Sequence, residues 1–159
     1  MDKAYRLVLE CCGGLAAVLL AFIALAVTLD VLLRPLGLSL IWVFEITELL
    51  LVWITMLALP WVAYKGGHIS VDVLVGNLSP GAACRLRVAV CLFVAALCFV
   101  IAYTGWVAAA GAWTRGLESP GLLQYPLWIS RISIPFGFVL GGIEFLRQAL
   151  HGVRMGEQA

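Results

Sequence analysis

The chain has 159 residues, 64% of them hydrophobic and 12% charged, with a net charge of +1 and a mean hydropathy of +1.07. Ordinary soluble domains carry about a quarter charged residues, so this composition excludes one and makes lipid the solvent for most of the surface. The chain also lacks the clustered excess of Lys and Arg that neutralising several phosphates requires, which removes nucleic-acid binding.

In chain order, four apolar stretches reach the length of about 20 residues that a helix needs to cross the hydrocarbon, where every backbone polar group must be paired internally. They predict helices over about 11–33, 41–64, 86–114 and 126–148 and, with them, an all-α integral membrane fold in a single domain covering 1–159. Before the first helix, Lys3 and Arg6 precede an apolar run containing Ala24-Leu25-Ala26, the pattern of a cleavable leader. The run continues past Ala26, and Asp2 and Glu10 dilute the positive segment, so a retained first helix is expected. At its far end Asp30 and Arg34 stand four residues apart and should pair.

The second span opens on Trp42 and carries Glu45 and Glu48 one turn apart. In the connection that follows, Val71, Leu74, Val75 and Leu78 recur on one face of a short helix, with Ser70 placed as its cap. Such a helix can lie in the membrane interface, or pack on its own bundle as a plain connector; Ser79-Pro80 then ends it and opens the third span. In the third span Cys84, Cys91 and Cys98 repeat every seven residues, placing three small side chains on nearly one face, which reads as close helix packing. None of the five cysteines forms a Cys-x-x-Cys pair, so neither a disulfide framework nor a metal site is expected. The fourth span contains Arg131 and, one turn later, Pro135, which lacks the N–H that would pair the Arg131 carbonyl; a kink is expected there.

Cytoplasmic loops hold an excess of Lys and Arg. Lys3, Arg6, Lys65, Arg85, Arg87, Arg147 and Arg154 fall on one side of a four-span arrangement, and Arg34 and Arg115 in the loops on the other. Both termini are therefore expected in the cytoplasm, as in a multi-pass protein of the bacterial inner membrane.

Ionisable residues inside a span are costly and need a partner or a wet cavity. Glu45 and Glu48 lie roughly 5 to 9 Å below Trp42 at the helical rise, and Arg131 lies about as far into its own span, so the three share a depth and could pair. Two readings compete for this layer: carboxylates serving a moving cation or proton, or fixed contacts between helices or with a partner protein. The middle of the third span offers only Tyr103 and Thr104 as polar groups, which favours fixed contacts. Trp42, Trp61, Trp106, Trp113 and Trp128 lie near span ends, where they anchor in the headgroup region. His68 and His151 sit at the cytoplasmic edge, whereas a haem-ligand pair would be set within facing helices, so no cofactor is expected.

The stretch Trp42, Glu45, Glu48, Trp53, Pro60, Ala63, then Gly67-His68-Ile69 with Val71 and Asp72, resembles the second helix and following loop of a known family. So do Ser119-Pro120, Leu122, Pro126, Trp128 and Ile134-Pro135 with Gly137 near the end. The family is the small membrane subunit, the DctQ or Q type, of tripartite ATP-independent periplasmic (TRAP) transporters, and the resemblance covers almost the whole chain. The position of Glu48 varies in that family, whereas that of Glu45 matches its pattern.

The resemblance implies a subunit that is not an enzyme, paired with a large membrane subunit that carries the path and the sodium sites. It also implies a periplasmic binding protein that delivers an organic acid, such as a C4-dicarboxylate. It marks Trp42, Glu45, Glu48, Gly67, His68, Asp72 and Arg131 as subunit-interface or structural polar residues. The alternatives from other classes are a self-sufficient small proton-coupled exporter working as a homodimer, with Glu45 or Glu48 exchanging the proton, and a membrane redox enzyme using the cysteines or histidines.

Overall fold

The computed structural model describes residues 2–38, 40–66 and 80–156. The chain forms α1 (Asp2–Leu33), a 3-10 turn (Arg34–Leu36), α2 (Ile41–Gly66), α3 (Pro80–Thr114), a short α4 (Leu127–Arg131) and α5 (Ser133–Gly156). Four segments, Tyr5–Leu36, Trp42–Lys65, Ala82–Thr114 and Leu127–His151, are long and apolar enough to cross a membrane. The second of these, 24 residues long, is about 36 Å at the helical rise, enough for a hydrocarbon core of about 30 Å. The expected helix over 71–78 lies outside the described residues.

The helices pack in sequence-crossing order: α1 on α2, α2 on α5, and α5 on α3, with α4 against α3. Lipid tails are as apolar as leucine, so helices in a membrane associate by close van der Waals fit, and small residues permit it. Glycines mark each contact. A Cβ on Gly13 of α1 would fall 2.6 Å from the Trp61 ring of α2, and one on Gly141 of α5 would fall 2.5 Å from Cδ2 of Leu59. Gly137, one turn before Gly141, faces the Met56 backbone of α2, where a Cβ would lie 2.5 Å from the carbonyl oxygen.

Along α3 the buried positions are Cys91, Ala95, Cys98, Ala102, Gly105, Ala109 and Ala112, alternating steps of four and three residues. That is the seam of a helix packed along its length on one neighbour. A Cβ on Gly142 of α5 would lie 3.3 Å from Cys98 Cβ, and one on Gly105 would lie 2.9 Å from Ile134. The heptad cysteines are part of this small-residue seam, with Cys91 and Cys98 buried and Cys84 half-buried.

Apart from a cluster of Cys12, Ala16 and Leu57, backed by Leu19, Trp53, Ile54 and Leu140, few large side chains are buried. Leu25 and Phe93 are each 66% exposed, which suits a surface solvated by lipid or covered by another protein.

The last span is broken at Ile132, between α4 and α5. Pro135 cannot donate to the Arg131 carbonyl, which explains the break one turn before it; the Ser133 hydroxyl bonds the Ser130 carbonyl at 2.6 Å as the chain turns. The two described loops share one end of the molecule, called the loop end below. In the first, Gly37 adopts a left-handed φ of 76° and its N–H bonds the Arg34 carbonyl at 3.0 Å. In the second, over 115–126, Ser119 N–H donates to Tyr125 O and Leu127 N–H to Leu117 O, both at 2.9 Å. This narrow loop turns through Gly121, Leu122 and Leu123, with Gln124 at a φ of 39°.

Candidate functional site

Two buried carboxylates organise the loop end. Asp30, 6% exposed near the end of α1, accepts the Leu40 N–H at 2.8 Å and the Arg34 guanidinium at 3.2 Å from Nε and 2.8 Å from Nη2. The expected pair is present, and it also fixes the chain where α2 begins. The Arg34 side chain is 64% exposed, so the ion pair itself contributes about 0–1 kcal/mol, and the buried amide bond is the structural element.

Glu45, 8% exposed on the first turns of α2, accepts the N–H of Leu122 and, at 2.8 Å, that of Leu123. Consecutive backbone N–H groups converging on one anion form a nest, and bonds of this charged kind contribute about 1.5–3 kcal/mol each. The neighbouring residue must be glycine: a Cβ on Gly121 would lie 2.5 to 2.6 Å from the Glu45 carboxyl atoms. The carboxylate therefore clasps the tip of the 115–126 loop to the top of α2. Each of its oxygens is taken by a backbone amide, an arrangement suited to holding a loop in place.

Glu48, one turn on, is exposed. Arg131 is half-buried, and its Nη1 donates to the Ala108 carbonyl of α3 at 3.3 Å. Among the described residues no ion pair joins Arg131 to Glu45 or Glu48, so the three charges at shared depth do not form one cluster. The cause is geometric: α4 packs mainly on α3, where Arg131 reaches the Ala108 carbonyl, while Glu45 turns to the loop tip. Trp42 is 42% exposed near the start of α2. Trp113 and Trp128 meet edge to face, 4.9 Å apart, joining α3 to α4 at the same end. Gly67, His68 and Asp72 lie outside the described residues.

The other end of the molecule holds a polar cluster that the sequence reading missed. Glu144 of α5 is 4% exposed; Gln148, one turn further, donates Nε2 to Ala63 O of α2 at 2.8 Å and to Glu144 Oε1 at 3.2 Å. The Tyr5 hydroxyl of α1 lies beside Glu144 and donates to Leu140 O at 3.5 Å. Three helices thus meet through side-chain polar groups. Cations rest over aromatic rings around them: Arg147 over Tyr5 at 5.3 Å, Lys65 over Trp61 at 5.6 Å and Arg6 over Tyr64 at 5.9 Å. The sequence signal was an acid and an amide four residues apart inside the last span.

The family of tripartite ATP-independent periplasmic transporters, DctQ component, matches residues 23–155. Among curated proteins, the chain is 27% identical over 115 residues to the ectoine TRAP transporter small permease protein TeaB of Halomonas elongata, covering 72% of this chain and 59% of that protein. It is 30% identical over 127 residues to the C4-dicarboxylate TRAP transporter small permease protein DctQ of Rhodobacter capsulatus, covering 76% of this chain and 53% of that protein. The chain thus spans between half and three fifths of the length of these relatives. No solved structure matches it.

Proposed function

We propose, since this chain belongs to the DctQ-component family of the tripartite ATP-independent periplasmic transporters, that it is a scaffold subunit with no substrate site of its own. It pairs in the bacterial inner membrane with a large membrane subunit for sodium-coupled uptake of an organic acid delivered by a periplasmic binding protein. Its termini face the cytoplasm, and the loop end faces the periplasm. The small permeases it resembles serve an ectoine and a C4-dicarboxylate transporter, both substrates bearing carboxylate, which supports a carboxylate-bearing solute as the cargo class.

The observation that carries the scaffold reading is the Glu45 clasp. Both Glu45 oxygens accept backbone amides of one loop, those of Leu122 and Leu123, so loading a proton or cation on this carboxylate would compete with the contacts that hold the loop. Its position orders a loop on the face where a periplasmic protein would land.

Liposome reconstitution tests this function. The purified chain alone should give no uptake of labelled dicarboxylate or ectoine above empty vesicles. Adding the large subunit and the binding protein should give uptake that depends on an inward sodium gradient. Transport by the chain alone, driven by a proton gradient, would instead establish the small exporter.

A further inference from the structure

On α2, Phe44, Glu48, Leu51, Thr55 and Val62 are all exposed, with Phe44 at 77%, Leu51 at 54% and Val62 at 55%. At about 100° per residue they fall within about 60° of one another, forming a single stripe. The rest of the helix is used otherwise: Met56 and Leu59 meet the glycines of α5, and Trp61 meets Gly13 of α1. The stripe is the face of α2 left exposed by its packing on α1, α4 and α5.

Glu48 sets this face apart from the exposed apolar surface of α3, which carries no carboxylate; among the described residues the other exposed carboxylate inside a span is Glu10 of α1, toward the opposite end of the molecule. Asp30, Glu45 and Glu144 are buried, each with a hydrogen-bond donor on its carboxylate. Glu48 is exposed, roughly 10 Å along α2 from its first residue, and among the described residues it has no hydrogen-bond or ion-pair partner. A carboxylate at that depth facing lipid is costly, so the stripe calls for protein with a complementary charge. The spacing of four, three, four and seven residues is that of a seam for one partner helix. The Thr55 hydroxyl already bonds the Leu51 carbonyl at 2.8 Å and makes no further demand.

A second copy of this chain does not supply that charge. Two copies inserted in the same orientation and packed stripe to stripe would set Glu48 against Glu48 at one depth. Among the described residues the cation set within a span at that depth, Arg131 of α4, is half-buried and bonds the Ala108 carbonyl of α3.

We infer that the Phe44–Glu48–Leu51–Thr55–Val62 stripe of α2 is the docking seam for one transmembrane helix of the large subunit, and that this helix presents a Lys or Arg level with Glu48. The inference rests on the proposed function and adds the face and the chemistry of the contact.

The test uses the full chain, tagged and co-expressed with its large subunit, with a photo-crosslinking residue placed at Leu51, at Val18 of α1 or at Val100 of α3. The Leu51 probe should join a helix of the large subunit that carries Lys or Arg within one turn of the joined residue. Glu48→Lys should lower the co-purified large subunit at least tenfold, Glu48→Gln should lower it less, and changing the partner's cation to Glu should restore it to Glu48→Lys. Three results overturn the inference while leaving the proposed function standing: cross-links to the large subunit from Val18 or Val100 but not Leu51, cross-linking of Leu51 to a second copy, or an unchanged yield with Glu48→Lys. Absence of the large subunit from every preparation overturns both.

Discussion

Replacing Glu45 by alanine should release the 115–126 loop and cut transport by the reconstituted system on the order of tenfold, without changing which solute is preferred. The substitution removes the acceptors for two N–H groups, those of Leu122 and Leu123, each a charge-assisted bond worth about 1.5–3 kcal/mol. The loop can recover part of this by opening to water, so the loss should appear as local mobility before it appears as unfolding. Limited proteolysis within 115–126 and hydrogen exchange at Leu122 and Leu123 report it directly. Glu45→Gln keeps one acceptor and should fall between the two. Gly121→Ala should reproduce the defect from the other side, because its Cβ would lie 2.5 Å from the Glu45 carboxyl carbon. A changed substrate preference in Glu45→Ala would contradict the scaffold role, since it would place the carboxylate among the groups that select the solute.

Gly137→Val should be the most damaging single change to the helix packing. Its Cβ would stand 2.5 Å from the Met56 carbonyl oxygen and 2.9 Å from the Met56 Cβ, so backbone meets backbone and no rotamer relieves it. α2 and α5 must separate, and overpacking of this kind costs about 1–3 kcal/mol or more. In detergent the unfolding midpoint should fall by on the order of 5 °C. Gly14→Ala is the matched control: nothing lies within 4 Å of its added Cβ, and alanine is the better helix former by about 1 kcal/mol. Equal loss from both variants would mean that close approach at Gly137 is not what holds the two helices together.

The spans were legible because twenty consecutive apolar residues have few alternatives in water, and the break in the last one because Pro135 visibly lacks a donor. The depth of Glu45 was legible too. Its partners were not, since they are backbone amides 77 and 78 residues away in a loop whose composition says nothing about which side chain will meet it. Shared depth left it possible for Arg131 to pair with the glutamates, but depth is only one coordinate. The lateral order of helices sets the others, with Arg131 turned to the Ala108 carbonyl of α3 and Glu45 to the 115–126 loop. The same lateral order is needed to see that Gly13, Gly137 and Gly141 meet α2 while Gly142 meets α3. The burial of Glu144 was not legible, because it depends on Tyr5 of α1 and Gln148 packing beside it.

The two glutamates of α2 have separated into different tasks, Glu45 turned inward to a loop of its own chain and Glu48 outward from the stripe. This division makes sense for a protein whose polar groups build contacts, and the central claim is that it works as one part of a larger membrane assembly. Extracting the affinity-tagged chain from its own membranes in mild detergent, and measuring the mass and composition of what elutes, tests that claim most directly. The chain should elute at a fixed stoichiometry with a much larger polytopic membrane protein; a stable, monodisperse monomer or homodimer with no such companion would contradict its role as one part of an assembly.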